Sequence, residues 1–260
     1  MNEEKHNAIR AYYRTLFSAW GCQHWWPARS RFEMIVGAYL TQNTAWTNVE
    51  KALGSLRRAG LLSIDGIRRT PQAKLARLIR SSGFFRQKAQ RLKIFVSFLD
   101  GRYDGSLGRV FARPALELRR ELLALNGVGR ETADSILLYA GNYAVFVVDA
   151  YTRRIFERHQ IVSEKASYEE IRELVEPALQ EEANGMDSPL RHFEEIGAAG
   201  TGRPSSSHRP SRVSAAKRSE LAQTFNEMHG LIVGVGKTYC LKSQPRCELC
   251  PLQKFLPRAK

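Results

Sequence analysis

The sequence predicts an all-α fold, and three observations predict it. Apolar residues recur at intervals of three and four along most of the chain. Alternation with period two is nearly absent. Helix starts are marked by residue types that cap or open helices, at Thr70-Pro71 and at Ser167 with Glu170.

Taken in order, Ile9, Tyr13, Leu16 and Trp20 give the first helix, and Phe32, Ile35 and Tyr39 the second. Pro71 opens another, because the N–H it lacks would have no partner in the first turn anyway. Leu75, Leu78 and Ile79 then form that helix's buried face. Leu92, Phe95, Val96 and Leu99 mark one more, and Leu118, Leu122 and Leu125 the next. The capping box of Ser167 and Glu170 precedes Ile171, Leu174 and Val175. Residues 143–148 are the exception, since their valines alone favour a strand. The stretch 197–220 is small, polar and basic and cannot bury enough apolar surface to repay its ordering. Residues 181–217 are therefore read as a flexible insertion.

The length of 260 residues allows one large domain or two small ones, and 43% apolar residues supply a sizeable core. Forty Lys and Arg against 26 Asp and Glu leave a charge of +14. Such an excess points to a polyanionic partner, most often nucleic acid, although charge alone does not separate nucleic acid from an acidic membrane surface. The start, MNEEKHNAIR, lacks the basic-then-apolar layout of a signal peptide. No apolar run approaches the ~20 residues of a membrane helix. Three of the four cysteines, Cys240, Cys247 and Cys250, crowd together while Cys22 stands apart. That pattern argues for metal ligation over a secreted disulfide framework. The expectation is a cytoplasmic, nucleoid-associated monomer with no membrane partner.

The most informative stretch is LNGVGRETADSILLYAGNYAVFVVDAYTRRIFERH, from Leu125 to His159. Two apolar-faced helices, 118–125 and 132–140, are joined by Asn126-Gly127-Val128-Gly129. Glycine permits positive φ and close backbone approach, and Val128 can pin the turn into the core. Gly129 and Arg130 would then present N–H groups at a helix start, which suits an anion such as a DNA phosphate. Such a contact carries no base identity. An ordinary glycine-capped corner has the same local pattern. Asp149 follows the apolar run and precedes Arg153 and Arg154, which are spaced to bind phosphate or to be solvated.

The combination L-x-G-V-G-x-x-T-A, then an apolar run, then V-D resembles the helix-hairpin-helix DNA glycosylases of the endonuclease III superfamily. The resemblance covers roughly 30–180 and resumes at about 220–252. It implies a two-lobed, all-α glycosylase: residues 30–144 as a helical lobe with the hairpin, 1–29 plus 145–260 as the second, and double-stranded damaged DNA in the groove between. It also implies that Asp149 stabilises the sugar cation formed as the base departs and helps the attacking water. In bifunctional members a lysine follows the G-V-G-R turn and attacks the sugar through an imine. Glu131 stands there, and a carboxylate forms no Schiff base. A monofunctional hydrolase is expected.

Base chemistry requires extrusion from the stack. The resemblance casts Asn43 as the residue that plugs the gap and Trp46 as a pocket aromatic, beside Gln42. With Trp25 and Trp26 of CQHWWP, these stretches resemble the 3-methyladenine glycosylases in particular. Indole rings favour a cationic alkylated purine by ~0.5–2 kcal/mol; the same tryptophans could equally be core fillers. The rival readings are an endonuclease III-like glycosylase and lyase for damaged pyrimidines, a mismatched-adenine glycosylase, and a non-catalytic DNA-binding hairpin protein in which Asp149 is only a helix cap.

Cys240-x6-Cys247-x2-Cys250 matches three of the four ligands in the family's C-x6-C-x2-C-x5-C motif for a [4Fe-4S] cluster, with Leu256 at the fourth place. Three occupants stay open: a labile cluster with an outside ligand, zinc with a histidine, or no metal.

Overall fold

Apolar spacing turns into helices almost throughout. The computed structural model describes residues 2–186, 188–191, 211 and 213–257, and no strand occurs among them. The chain divides into two units, Ala28–Tyr143 and Met1–Pro27 with Ala144–Lys260.

The first of these is organised on α2 (Arg31–Thr41), capped by Ser30, with every residue from Phe32 to Leu40 buried. A helix that is covered on all sides is the centre of its unit. Helix α3 (Trp46–Arg58) buries one stripe, Val49, Ala52, Leu53 and Leu56. Arg57 of α3 reaches Glu33 of α2 at 2.5 Å. Short helices α4 (Ile64–Arg69) and α5 (Gln72–Leu78) lead to α6 (Phe85–Tyr103). Pro71 takes the cap position of α5, and Leu75 and Ile79 are buried as expected. Helix α6 buries Leu92, Phe95, Val96 and Leu99, and also Lys88. That lysine donates to Leu40 O at 2.9 Å and Ser82 O at 2.6 Å. Burial, with Arg91 nearby, pulls its pKa down to about 8.

After α7 (Leu107–Val110) come the paired helices α8 (Ala115–Leu123) and α9 (Arg130–Ser135). The second runs on as a wider turn, Ile136–Ala140, with Gly141 N–H bonded to Ile136 O. Arg119 of α8 clasps the fully buried Asp134 of α9 through both carboxylate oxygens, at 2.6 and 2.9 Å. This ion pair braces the two helices against each other.

The other unit packs α1 (Asn2–Trp20), α10 (Ala150–Arg158), α11 (Tyr168–Asn184) and α12 (Glu220–Thr238). Helix α12 is buried around its circumference and touches each of the other three. Gly236 admits the Tyr151 ring so closely that a Cβ there would lie 2.2 Å from it. The expected capping box of Ser167 and Glu170 forms at the start of α11.

Two expectations need correction. Residues 143–148 form no strand. Val145–Val148 are buried in an irregular stretch, and α11 side chains serve its amides: Glu176 accepts from Phe146 N at 2.9 Å and the Tyr168 hydroxyl from Val148 N at 3.3 Å. Partners other than a sheet ladder satisfy those donors. The insertion also begins later than residue 181, because α11 continues to Asn184 with Glu182 buried and paired with Arg14 at 2.8 Å. At its far end Ser211 and Ser214 form a small hydrogen-bonded turn. Within 181–217, residues 187, 192–210 and 212 lie outside the described residues.

Candidate active site

The hairpin turn holds its first glycine in a left-handed conformation. Gly127 has φ +78°, and a Cβ there would sit 1.9 Å from Arg91 Nε. The positive φ favours glycine, and a larger residue would also have to displace the Arg91 side chain. Val128 is buried and anchors the turn, and its N–H closes onto Leu125 O at 3.1 Å. Gly129 is the exposed N-cap of α9 and brings no side-chain oxygen to the first-turn amides. Arg130 and Glu131 follow, both exposed.

Gln42 ties this turn to the end of α2. Its Nε2 donates to Gly127 O at 3.0 Å and to Thr132 Oγ1 at 2.9 Å, while its Oε1 accepts from Arg91 at 2.6 Å. Asn43 beside it is exposed and left-handed, φ +53°. Asparagine is among the few residues that tolerate this region. Trp46, half-buried, opens α3.

In the other unit Asp149 is the N-cap of α10. Its Oδ1 accepts from Thr152 N at 2.7 Å and from Thr152 Oγ1 at 2.9 Å. Its Oδ2 lies 3.6 Å from Nε2 of His229, on α12. The side chain remains 13% exposed, so one oxygen anchors the carboxylate while the group still reaches solvent. His229 is buried, and that burial holds its pKa below the ordinary value despite the pull of Asp149. A buried imidazole thus lies behind the carboxylate.

Trp25 and Trp26 are buried in the irregular segment before Pro27, with ring centroids 5.8 Å apart. Lys237 holds its ammonium 5.1 Å over the Trp25 ring. Glu227, buried on α12, accepts from Gln23 N at 2.5 Å and from Gln223 at 2.7 Å. It thereby fixes the chain just before the tryptophans. Arg153 donates to Ala166 O and Arg154 to Cys240 O at 2.7 Å. Both arginines thus serve their own unit, and Arg154 acts as an internal strut.

A family profile described as the HhH-GPD superfamily of base excision DNA repair proteins matches residues 36–181. The chain is 38% identical over 256 residues to a Methanocaldococcus jannaschii protein provisionally named a DNA repair glycosylase, covering 98% of each chain. The chain belongs to the HhH-GPD superfamily. It is a DNA glycosylase. A crystal structure of the H. pylori 3-methyladenine DNA glycosylase bound to 1,N6-ethenoadenine is 27% identical, with TM-score 0.66 over 90% of this chain and 97% of that one. A non-covalent endonuclease III–DNA complex, 19% identical, shares the fold with TM-score 0.65 over 98% of this chain and 95% of that one.

The thiols of this glycosylase do not assemble a four-ligand site. Cys240, Cys247, Cys250, His159 and Leu256 line one cavity of about 20 Å³. Leu256 carries no donor atom. His159 meets the Tyr12 hydroxyl at 3.0 Å through Nδ1 and is also hydrogen-bonded to the backbone at Phe255. Among the described residues no group of three or more His, Cys, Asp or Glu side chains is arranged to hold a metal ion. The donor set therefore does not fit a four-thiolate cluster. Arginines tie this region instead: Arg158 donates to Cys240 Sγ at 3.2 Å, Leu241 O at 2.7 Å and Lys242 O at 3.0 Å.

Sequence reasoning missed His229 and Phe84. Nothing in spacing links His229 to an aspartate eighty positions away. Phe84 is 63% exposed at φ +44°, just ahead of α6 and between the exposed Arg80 and Arg86. An aromatic directly after Gly83 was the available signal.

Proposed function

We propose that this glycosylase is monofunctional and hydrolyses the N-glycosidic bond of a flipped alkylated purine, such as 3-methyladenine, in duplex DNA. The observation that carries the reading is Asp149, anchored through Oδ1 by Thr152, with Oδ2 3.6 Å from the buried imidazole of His229. As the C1′–N bond breaks, its electron pair leaves with the base and positive charge develops on the sugar. A fixed carboxylate stabilises that charge and accepts the proton of the water that bonds C1′. Glu131 in place of an amine supports water over an imine as the attacking group.

The hairpin turn Gly127–Arg130 takes a backbone phosphate in this reading, through amides at the start of α9. Asn43 and the exposed Phe84 enter the duplex, an apolar or polar wedge being the usual filler of a vacated step. For the base itself, one face of Trp25 already carries an ammonium. A cationic purine is then better served by Trp26 or Trp46. The H. pylori relative, crystallised with an alkylated adenine derivative, supports the purine class.

The test is release of the base from alkylated duplex, followed by alkali. Breaks that require alkali, and that disappear in Asp149→Asn, are expected. Borohydride trapping of a covalent complex would instead establish lyase chemistry. Binding without any release would make the chain a binding module.

A further inference from the structure

We propose that Gln42 and Arg91 form a clamp that locks the Asn43 loop onto the Gly127 turn, so that the gap-filling side chain and the phosphate-binding turn move as one rigid piece. This rests on the reading of Asn43 as the residue that enters the duplex.

Every bond of the clamp lies within the unit Ala28–Tyr143. The Gln42 amide spends both N–H groups on the hairpin, on Gly127 O and Thr132 Oγ1. Its orientation is not free. Turned over, it would set its own oxygen against the Gly127 carbonyl and its NH2 against a guanidinium. Arg91 prevents this by donating to Oε1 at 2.6 Å. The same guanidinium packs on Gly127, so Arg91 touches both halves of the joint. One turn earlier on α6, Lys88 holds the Leu40 carbonyl at the end of α2. The backbone is therefore fixed on both sides of Thr41, and Asn43 projects from it in a left-handed turn. A loop ordered in advance does not have to be ordered when DNA binds. Gln42 and Arg91 are positioning residues that act through Asn43 and Gly127.

The experiment uses the full chain and a duplex carrying a tetrahydrofuran abasic analogue beside 2-aminopurine, whose fluorescence reports unstacking without any base release. Gln42→Glu keeps the length and the Arg91 pairing but replaces the donor by an acceptor facing Gly127 O. Loss of two hydrogen bonds is expected to weaken duplex binding about tenfold and to reduce the fluorescence change at saturation. In a cycle with Arg91→Leu and Gln42→Leu, the double variant should be no worse than the poorer single variant, because Arg91 acts through Gln42. Circular dichroism and melting of each variant separate folding from opening. A Gln42→Glu protein that melts lower yet gives the full fluorescence change overturns the clamp, and so do additive effects in the cycle. A wild-type protein that leaves 2-aminopurine stacked overturns it outright. A wild-type protein that unstacks the probe but releases no alkylated purine overturns the substrate reading alone.

Discussion

The two helix starts on which the proposed chemistry rests are capped in opposite ways. Helix α9 begins at Gly129, which offers its amides no side-chain acceptor. Helix α10 begins at Asp149, which covers the Thr152 amide with its own carboxylate. A helix start with no internal cap is suited to an external anion; one with an internal cap spends its N-terminal field on fixing the acid itself. The comparison teaches that capping a helix leaves an aspartate one oxygen for the proposed catalytic role. One oxygen holds the position while the other stays beside His229 and within reach of solvent.

The largest expected effect breaks the second start while sparing its cap. Asp149→Asn keeps a good N-cap, so stability should change by less than about 1 kcal/mol while base release falls by about a thousandfold. Single-turnover kinetics beside a thermal melt checks both. Next in size is the brace under the first start. Arg119→Met leaves Asp134 buried without its cation and is expected to cost about 3–5 kcal/mol in denaturant unfolding. The two hairpin glycines should then differ. Gly127→Ala meets Arg91 and a positive φ, and is expected to cost about 1–3 kcal/mol and to weaken DNA binding in a titration. Gly129→Ala has open space around it and should cost about 1 kcal/mol or less.

A last effect concerns pH and the segment before the tryptophans. Burial raises the Glu227 pKa from 4.5 to about 7. The folded state therefore binds this proton more tightly than the unfolded chain does. The group's contribution to stability is fully present below pH 4.5 and is lost as pH rises through 7, on the order of 3 kcal/mol in all. Glu227→Gln should flatten the stability profile across that window in urea titrations at successive pH values.

Local patterns were legible where one helix face or one cap decides the outcome. The stripe of α6, the capping box at Ser167 and the glycine demand at 127 all follow from neighbours a few residues apart. The run at 143–148 misled because its valines favour a strand, whereas Glu176 and Tyr168 of α11 take its amide protons. The cysteine spacing was legible as a motif, but whether three thiols become a site depends on what fills the fourth place. In space Leu256, which has no donor atom, and His159, whose Nδ1 meets the Tyr12 hydroxyl, line the same cavity as the three thiols.

The sequence by itself determined the helices, the hairpin turn, the acid at the head of α10 and the absence of a lysine at 131. These are properties of adjacent residues and of backbone sterics. Only the tertiary structure decided that Gln42 grips the hairpin, that Arg119 braces it, that His229 backs Asp149 and that Arg154 turns inward. Each joins residues from 15 to 90 positions apart. Side-chain hydrogen bonds over such separations exist only once packing has brought their partners within about 3 Å.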